Sequence, residues 1–588
     1  MKDVSDRLDE IANERMKFHL REVVQERHLQ DEARIVEIDC PGNLSRARHV
    51  TFNYSDQSFD MLFAFQKLET LRTLMLSRHY PFTTEACKFP RHLCFPSLRA
   101  FDAKNSMLTS ISFLTNTSKH LRYLNLSDTY IRILPKSICF LQTLQTLDVS
   151  FCRNLQKLPK HMSRLRSLRH LHIFGCSLLL HMPPNIGKLT GLRTLSIFIV
   201  DRRTGYDVDE LGSLNLHGSL SIKNLEEVKS PMEAKKANLA GKMNLKSLEL
   251  SWDRNGKSQV IIEQVLESLE PPPSIKFLDI SNFGGRHFPR WFKNSAIYEN
   301  LVSIGFTGCK NCMELPTGLG KLPSLTSLLL SGMDLVRYVE NESYGGELEG
   351  GFLHLQSLLI ADLPNLERLS KEERRMDFSR LYSLYIEKCP KLTLHCLRSI
   401  KELIIWGCSE ALLRTVSNLH TLTSLKICDN DDLASFPDGF PQKLTTLQSL
   451  TIKRFSKLQD LQSDMLIGLS SLESLTITSC HMLECFPVEI FRGSYSLKSI
   501  YIEDCIKFKS LSTSFGDLTA LEFLELRGCP ELEAFPNGLN NLSCLKSLML
   551  SGYSTYRDDG SQNLSVPHPK LITLPEALQH LPSLQHLS

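Results

Sequence analysis

Two short clusters are the places where this sequence could do chemistry. Gly256-Lys-Ser258 follows the alternating run Leu248-Glu-Leu250 and precedes a helical pattern, the setting of a phosphate-cradling loop. That loop needs a first glycine at position 251, which is Ser, and Trp252 stands where backbone amides would have to wrap a phosphate. No nucleotide site is expected there. Cys309-x-x-Cys312 has the spacing of half a zinc site, but no second pair follows at the required distance. The sequence contains no Gly-x-Ser-x-Gly elbow and no His-Glu-x-x-His, and its carboxylates form no recognisable acid/base pair. The expectation is a protein that is not an enzyme and carries no catalytic, cofactor or metal residues.

The residues point instead to binding, because a repeat governs nearly the whole chain. Leu-x-x-Leu-x-Leu appears as Leu121-Arg-Tyr-Leu-Asn-Leu126, with one conservative change as Leu144-Gln-Thr-Leu-Asp-Val149, and again from Leu168 and Leu192. These starts lie 23, 24 and 24 residues apart. Later copies begin at Leu301, Leu325, Leu355, Leu381, Ile400, Leu422, Leu447, Leu472, Leu497, Leu521 and Leu545. Alternating Leu-x-Leu is a short strand with one buried face. The segment after it often ends in Leu-Pro, as at Leu134-Pro135 and Leu158-Pro159, where proline stops a long helix and turns the chain back. One unit cannot bury its own leucines, whereas about twenty stacked units bury a continuous core. The expected fold is α/β: a leucine-rich-repeat solenoid, a curved horseshoe with a parallel sheet on its concave face, preceded by a short N-terminal helical segment.

Cysteine obeys the same period. It falls eight residues after the first leucine at Cys152, Cys176, Cys309, Cys389, Cys408, Cys480, Cys505 and Cys529. That position turns inward at the strand's end, where a thiol serves as a small hydrophobe. Four stretches break the period: 201–244, with the Ala-rich piece Glu233–Ala240; 251–274, with a helical pattern over Val260–Leu269; 338–351; and 553–570. The expected organisation is a helical or linker segment over 1–40, N-terminal repeats over 41–200, irregular repeats over 201–274 and C-terminal repeats over 275–588.

The formal net charge of +3 gives no overall attraction to nucleic acid or membrane. The charged opening has no apolar core and does not read as a secretory signal, and no run approaches the roughly 20 apolar residues of a membrane span. A cytoplasmic or nuclear location, with reduced cysteines, is expected.

Three blocks resemble the coiled-coil class of plant NB-LRR (NLR) disease-resistance proteins. Arg7-Leu-Asp-Glu-Ile-Ala-Asn-Glu-Arg-Met-Lys-Phe-His-Leu20 looks like that family's junction between coiled coil and ATPase domain. Ser45-Arg-Ala-Arg-His-Val-Thr-Phe52 looks like the beginning of its repeat domain. The series His217–Leu225, Leu248–Trp252 and Gly285-Arg-His-Phe-Pro-Arg-Trp291 is similar to a repeat-region signature. The family's nucleotide-binding domain would lie between Leu20 and Arg46, which here are only a loop apart, so ADP or ATP is expected only if that domain is restored. The resemblance implies a plant innate-immunity protein that binds a pathogen effector or a guarded host protein, or regulates a full-length receptor in trans through its nucleotide-binding domain. The alternative is a generic protein-binding scaffold, such as a substrate-recruiting subunit of a ubiquitin ligase.

Two groups of residues are candidate surfaces. Tyr385, Glu387, Ile404 and Trp406 stand at outward strand positions of adjacent repeats, and Tyr501 and Glu503 hold the same positions further on. Such aromatics suit a protein-binding concave face. Residues 118–172 hold ten Lys and Arg but only Asp128 and Asp148 as acids, so Arg122, Arg132, Lys136, Arg153, Arg169, His170 and His172 form a candidate basic docking patch. Nucleic acid is disfavoured there because aromatic residues are sparse along that stretch.

Overall fold

A computed structural model describes residues 48–54, 69–78, 94–115, 118–253, 259–294, 296–340, 351–372, 378–395, 397–511, 513–533, 541–551 and 581–587. The helical opening over 1–40 and the blocks Arg7–Leu20 and 45–47 lie outside them. The chain divides into two compact units, Met1–Ile197 and Phe198–Ser588.

The first unit is a parallel sheet of seven strands in chain order: β1 (His49–Tyr54), β2 (Thr73–Arg78), β3 (Ala100–Asp102), β4 (Tyr123–Asn125), β5 (Thr146–Asp148), β6 (His170–His172) and β7 (Thr194–Leu195). Each repeat adds one strand, and the register places like residues side by side: Leu124, Leu147, Leu171 and Leu195 form one inward column. All four are fully buried. Each such leucine contributes about 1.5–3 kcal/mol relative to exposure, but only against its neighbouring repeats. After Leu134-Pro135 and Leu158-Pro159 the chain makes short 3-10 turns rather than a long helix, over Lys136–Phe140 and Met162–Arg164.

The second unit carries a 16-stranded sheet on the same plan. At the end of many strands, one residue before the Cys/Asn position, the backbone enters the left-handed region: Lys388, Gly407, Asp429, Ser479, Asp504 and Gly528 all have φ between 49° and 65°. This bend carries the next side chain inward. Cys389, Cys408, Cys480, Cys505 and Cys529 are accordingly buried. Burial raises the thiols of Cys408, Cys480 and Cys529 to about 11. They pack as small apolar groups and are poor nucleophiles.

The irregular stretch folds around an unusual staple. The helix Pro231–Lys236 starts where the Ser230 hydroxyl accepts the Glu233 N–H, and proline occupies its first turn. It ends sooner than the Ala-rich pattern suggests, because Asn238 adopts φ 50° and turns the chain. Lys242 lies beyond it, only 2% exposed. Its ammonium donates to the carbonyls of Leu211 and Leu214, both at 2.7 Å, and so closes the 3-10 turn Val208–Leu211. Burial lowers its pKa from 10.5 to about 8. Between those values the unfolded chain binds more protons than the folded one, so Lys242 makes stability rise as pH increases from about 8 to 10.5. Buried thiols act in the opposite sense above pH 9. The difference in urea midpoint between wild type and Lys242→Met isolates the lysine. It is expected to widen from pH 7.5 to 9.5; a constant difference would show that Lys242 titrates normally.

The helix Gln259–Ser268 matches the helical pattern of the second insertion. Its acids hold the loop that follows the next strand. Glu263 accepts the N–H groups of Arg286 (2.7 Å) and His287 (3.1 Å), and Glu267 accepts that of Arg290 (2.9 Å). Below this loop lies an aromatic cluster. Trp252 meets Phe283 at 5.3 Å, Phe288 meets Phe306 at 4.6 Å, and Trp291 stacks on Phe292 at 4.1 Å. The Gly285–Trp291 block is thus a structural clasp between an inserted helix and the sheet.

Candidate functional site

The strands Ser383–Glu387 and Glu402–Trp406 are parallel neighbours, with Tyr385 beside Ile404 and Glu387 beside Trp406. The structure therefore brings together the four residues chosen from the sequence, all half-buried on the outward face. The Tyr385 hydroxyl donates to Glu387 at 2.8 Å, which fixes the phenol along the strand. Tyr501 and Glu503 occupy the same two columns, but the strands Ser424–Asn430, Ser449–Phe455 and Ser474–Thr478 intervene. At about 4.8 Å per strand, four steps separate them from Ile404 and Trp406 by roughly 19 Å. They form a second spot rather than an extension. Burial, and then the hydrogen bond to Glu503, push the Tyr501 phenol well above its usual range.

Sequence reading missed the cations around Trp406. Register places Lys426 beside Ile404, and Cys428 between Trp406 and Lys453. The Lys426 ammonium lies 6.0 Å from the indole centroid and the Arg454 guanidinium 5.1 Å from it. Arg454 is in turn held by Asp429, with Nη2 at 3.0 Å from Oδ2 and Nε on Oδ1. Arg454 and Asp429 both sit at left-handed strand ends, with φ 56° and 52°. The available signal was the cross-repeat position of Lys426, one period after Ile404. Arg454 could not be placed from periodicity, because its reach depends on the backbone bend.

The basic patch divides. Arg122 and Arg169 immediately precede β4 and β6, and His170 and His172 lie on β6 with their rings 6.4 Å apart and nearly parallel. Arg132 lies in the connection after β4, next to Ile133, which bridges Lys157 of the following repeat. Lys136 begins the 3-10 turn, and Arg153 follows the inward Cys152. Arg132, Lys136 and Arg153 are exposed but belong to the return side of the coil, away from the strands that carry the others.

The CxxC cysteines are spent on the backbone. Cys309 donates to the Ile280 carbonyl at 3.7 Å and Cys312 to that of Gly285 at 3.3 Å, and burial raises the Cys309 thiol to about 12. Among the described residues no group of three or more His, Cys, Asp or Glu is placed to hold a metal. Residues 254–258, which contain Gly256-Lys-Ser258, lie outside the described residues.

Residues 208–333, which hold the clasp, match the repeat family described as R13L1/DRL21 LRRs, and 420–482 match a general leucine-rich repeat. RGA1 of Solanum bulbocastanum, which carries a disease-resistance name, is 42% identical over 269 residues, 46% of this chain and 27% of RGA1. Disease resistance protein RGA2 of the same species is 40% identical over 375 residues, 59% of this chain and 36% of RGA2. Over its repeats the chain is a homologue of plant disease-resistance proteins. It matches only about a third or less of the length of these relatives. A solved plant peptide hormone receptor, RGFR1 in complex with RGF2, is similar at 16% identity and TM-score 0.39, over 91% of this chain and 87% of that one. No described helix is long and apolar enough to cross a membrane.

Proposed function

We propose that this chain is the recognition part of a plant defence receptor and works by binding another protein, not by catalysis. The observation that carries this reading is Trp406 on the outward face of the sheet, with Lys426 and Arg454 of the following repeats 6.0 and 5.1 Å from its indole centroid. A Trp whose position is fixed before binding loses little conformational freedom on contact, and Trp, Tyr and Arg dominate interface energetics. All three types meet here. The partner is a pathogen effector or a host protein that such effectors modify. The reading places the chain inside the cell and requires no nucleotide on the chain itself. Homology over the repeats supports the defence context.

Proximity labelling in leaf cells, with the 588-residue chain and its Trp406→Ala and Lys453→Glu variants, tests this. A protein captured by the wild type is expected to be lost from both variants. With that protein purified, Trp406→Ala should weaken binding by about 2 kcal/mol, roughly thirtyfold. Lys498→Glu, remote from the patch, serves as the control. An unchanged set of captured proteins in both variants would remove this face from recognition.

A further inference from the structure

In the first unit, the residue immediately before each strand is Arg48, Arg72, Arg99, Arg122, Gln145, Arg169 and Arg193 in turn. These seven positions form one column. The N–H of each donates to the carbonyl of its predecessor at 2.7 or 2.8 Å, from Arg72 onto Arg48 through to Arg193 onto Arg169. Six of seven are arginine. Arg48, Arg99, Arg122, Arg169 and Arg193 are exposed and Arg72 is partly so. Among the described residues, no carboxylate stands within ion-pair distance of Arg72, Arg99, Arg122 or Arg169. The same column in the second unit is mixed in type, beginning Lys246, Lys276, Val302, Thr326, and where it does carry successive charges near its end they alternate and pair: it runs Glu473, Lys498, Glu522, Lys546, with Lys498 on Glu473 at 3.1 Å and Lys546 on Glu522 at 2.6 Å. Like charges at this spacing repel, so a column of arginines interrupted only by Gln145 is a self-opposing arrangement that an anionic partner relieves.

We propose that this column is a binding rail for single-stranded nucleic acid, a partner class and a unit distinct from those of the Trp406 reading. Seven positions at about 4.8 Å span about 29 Å, the length of roughly eight stacked nucleotides at about 3.4 Å per phosphate. Guanidinium forks match phosphate oxygens bidentately. The columns beside the rail carry rings: His49, Tyr123 and His170 next to the arginines, and His172 beyond. Rings beside a cationic track are what unpaired bases stack on. Two further observations favour nucleic acid over an acidic polypeptide. The outer column of this face holds Asp102 and Asp148, which oppose any anion alike but can accept the exocyclic amino groups of bases, donors that acidic side chains lack. Moreover, Met75 is the one strongly exposed large apolar side chain on these strands among the described residues, which leaves no apolar centre for a folded protein to bury. The stretch 118–172 alone hid this arrangement, because most of the column lies outside it.

The test measures binding of a fluorescent 12-nucleotide single-stranded RNA, and of a 12-residue poly-glutamate peptide, to the full chain across a salt series. The RNA is expected to bind more tightly than the peptide. The slope of log affinity against log salt should be about −3.5, from about −0.7 per phosphate over five arginines. Arg99→Gln/Arg122→Gln/Arg169→Gln should weaken RNA binding at least thirtyfold and flatten the slope by about 2. Arg132→Gln/Lys136→Gln/Arg153→Gln, on the return side, should stay within twofold. His172→Ala should cost about fivefold with RNA and nothing with the peptide. The proposal fails if the RNA does not bind at low salt, if poly-glutamate binds as tightly, or if the two triple variants lose equally.

Discussion

Trp291→Ala is expected to destabilise the second unit by about 3–5 kcal/mol, the usual cost of deleting a buried tryptophan. Trp291 is 7% exposed and stacks on Phe292 at 4.1 Å, with Tyr298 edge-on at 5.9 Å. Its indole N–H donates to the Leu266 carbonyl at 3.3 Å, so the substitution also leaves the inserted helix with an unmatched acceptor. Repeats contact only their neighbours, so the damage should be local. Hydrogen exchange is the suitable measurement: protection should fall in the strands Leu245–Ser251, Phe277–Ser281 and Ser303–Thr307 and persist in Ser474–Thr478. Trp291→Phe keeps the ring contacts and should lose less. Uniform loss across the sheet, or none, would show that the Gly285–Trp291 block does not clasp the helix to the sheet.

Asn430→Ala is expected to cost about 2–3 kcal/mol, because one side chain serves three backbone groups, one of them buried. Asn430 is 3% exposed. Its amide donates to the Cys408 carbonyl at 2.7 Å, and its oxygen accepts the N–H groups of Asp432 (3.0 Å) and Leu433 (2.7 Å). Cys480 stands at the corresponding place of a later repeat, where its weakly donating thiol meets the Thr478 carbonyl at 3.6 Å. Cys480→Ala should therefore lose far less. Comparing the two variants by hydrogen exchange in their own repeats checks the claim; equal losses would mean that this position contributes through volume rather than hydrogen bonding. Asn430 also neighbours Asp429, which holds Arg454 against Trp406. The alanine variant should therefore loosen the candidate recognition face as well.

Much of this protein was legible in its residues, for a physical reason. A repeat of Leu-x-x-Leu-x-Leu has one way to bury its leucines, by stacking in parallel, so period and fold are the same statement. The cysteine positions followed from that period, and so did the adjacency of Tyr385, Glu387, Ile404 and Trp406. Composition along the chain misled where the fold connects residues about 24 apart. The basic stretch 118–172 looked like one surface, yet Arg132, Lys136 and Arg153 fall on the return side of the coil. The column that gathers Arg122 and Arg169 draws its other members from Arg48, Arg72, Arg99 and Arg193.

The sequence by itself determined the repeat, the inward columns and the outward strand positions, because these depend only on local alternation and on the shared need to bury leucine. Only the tertiary structure decided which charges meet across repeats. Arg454 reaches Trp406 because a left-handed strand end redirects it, and Glu263 and Glu267 reach the backbone of 286–290 because an inserted helix packs beside that loop. Neither the reach of a long polar side chain nor the docking of an insertion is encoded in a period. Both are set by backbone bends and neighbouring coils that come together only when the chain is folded.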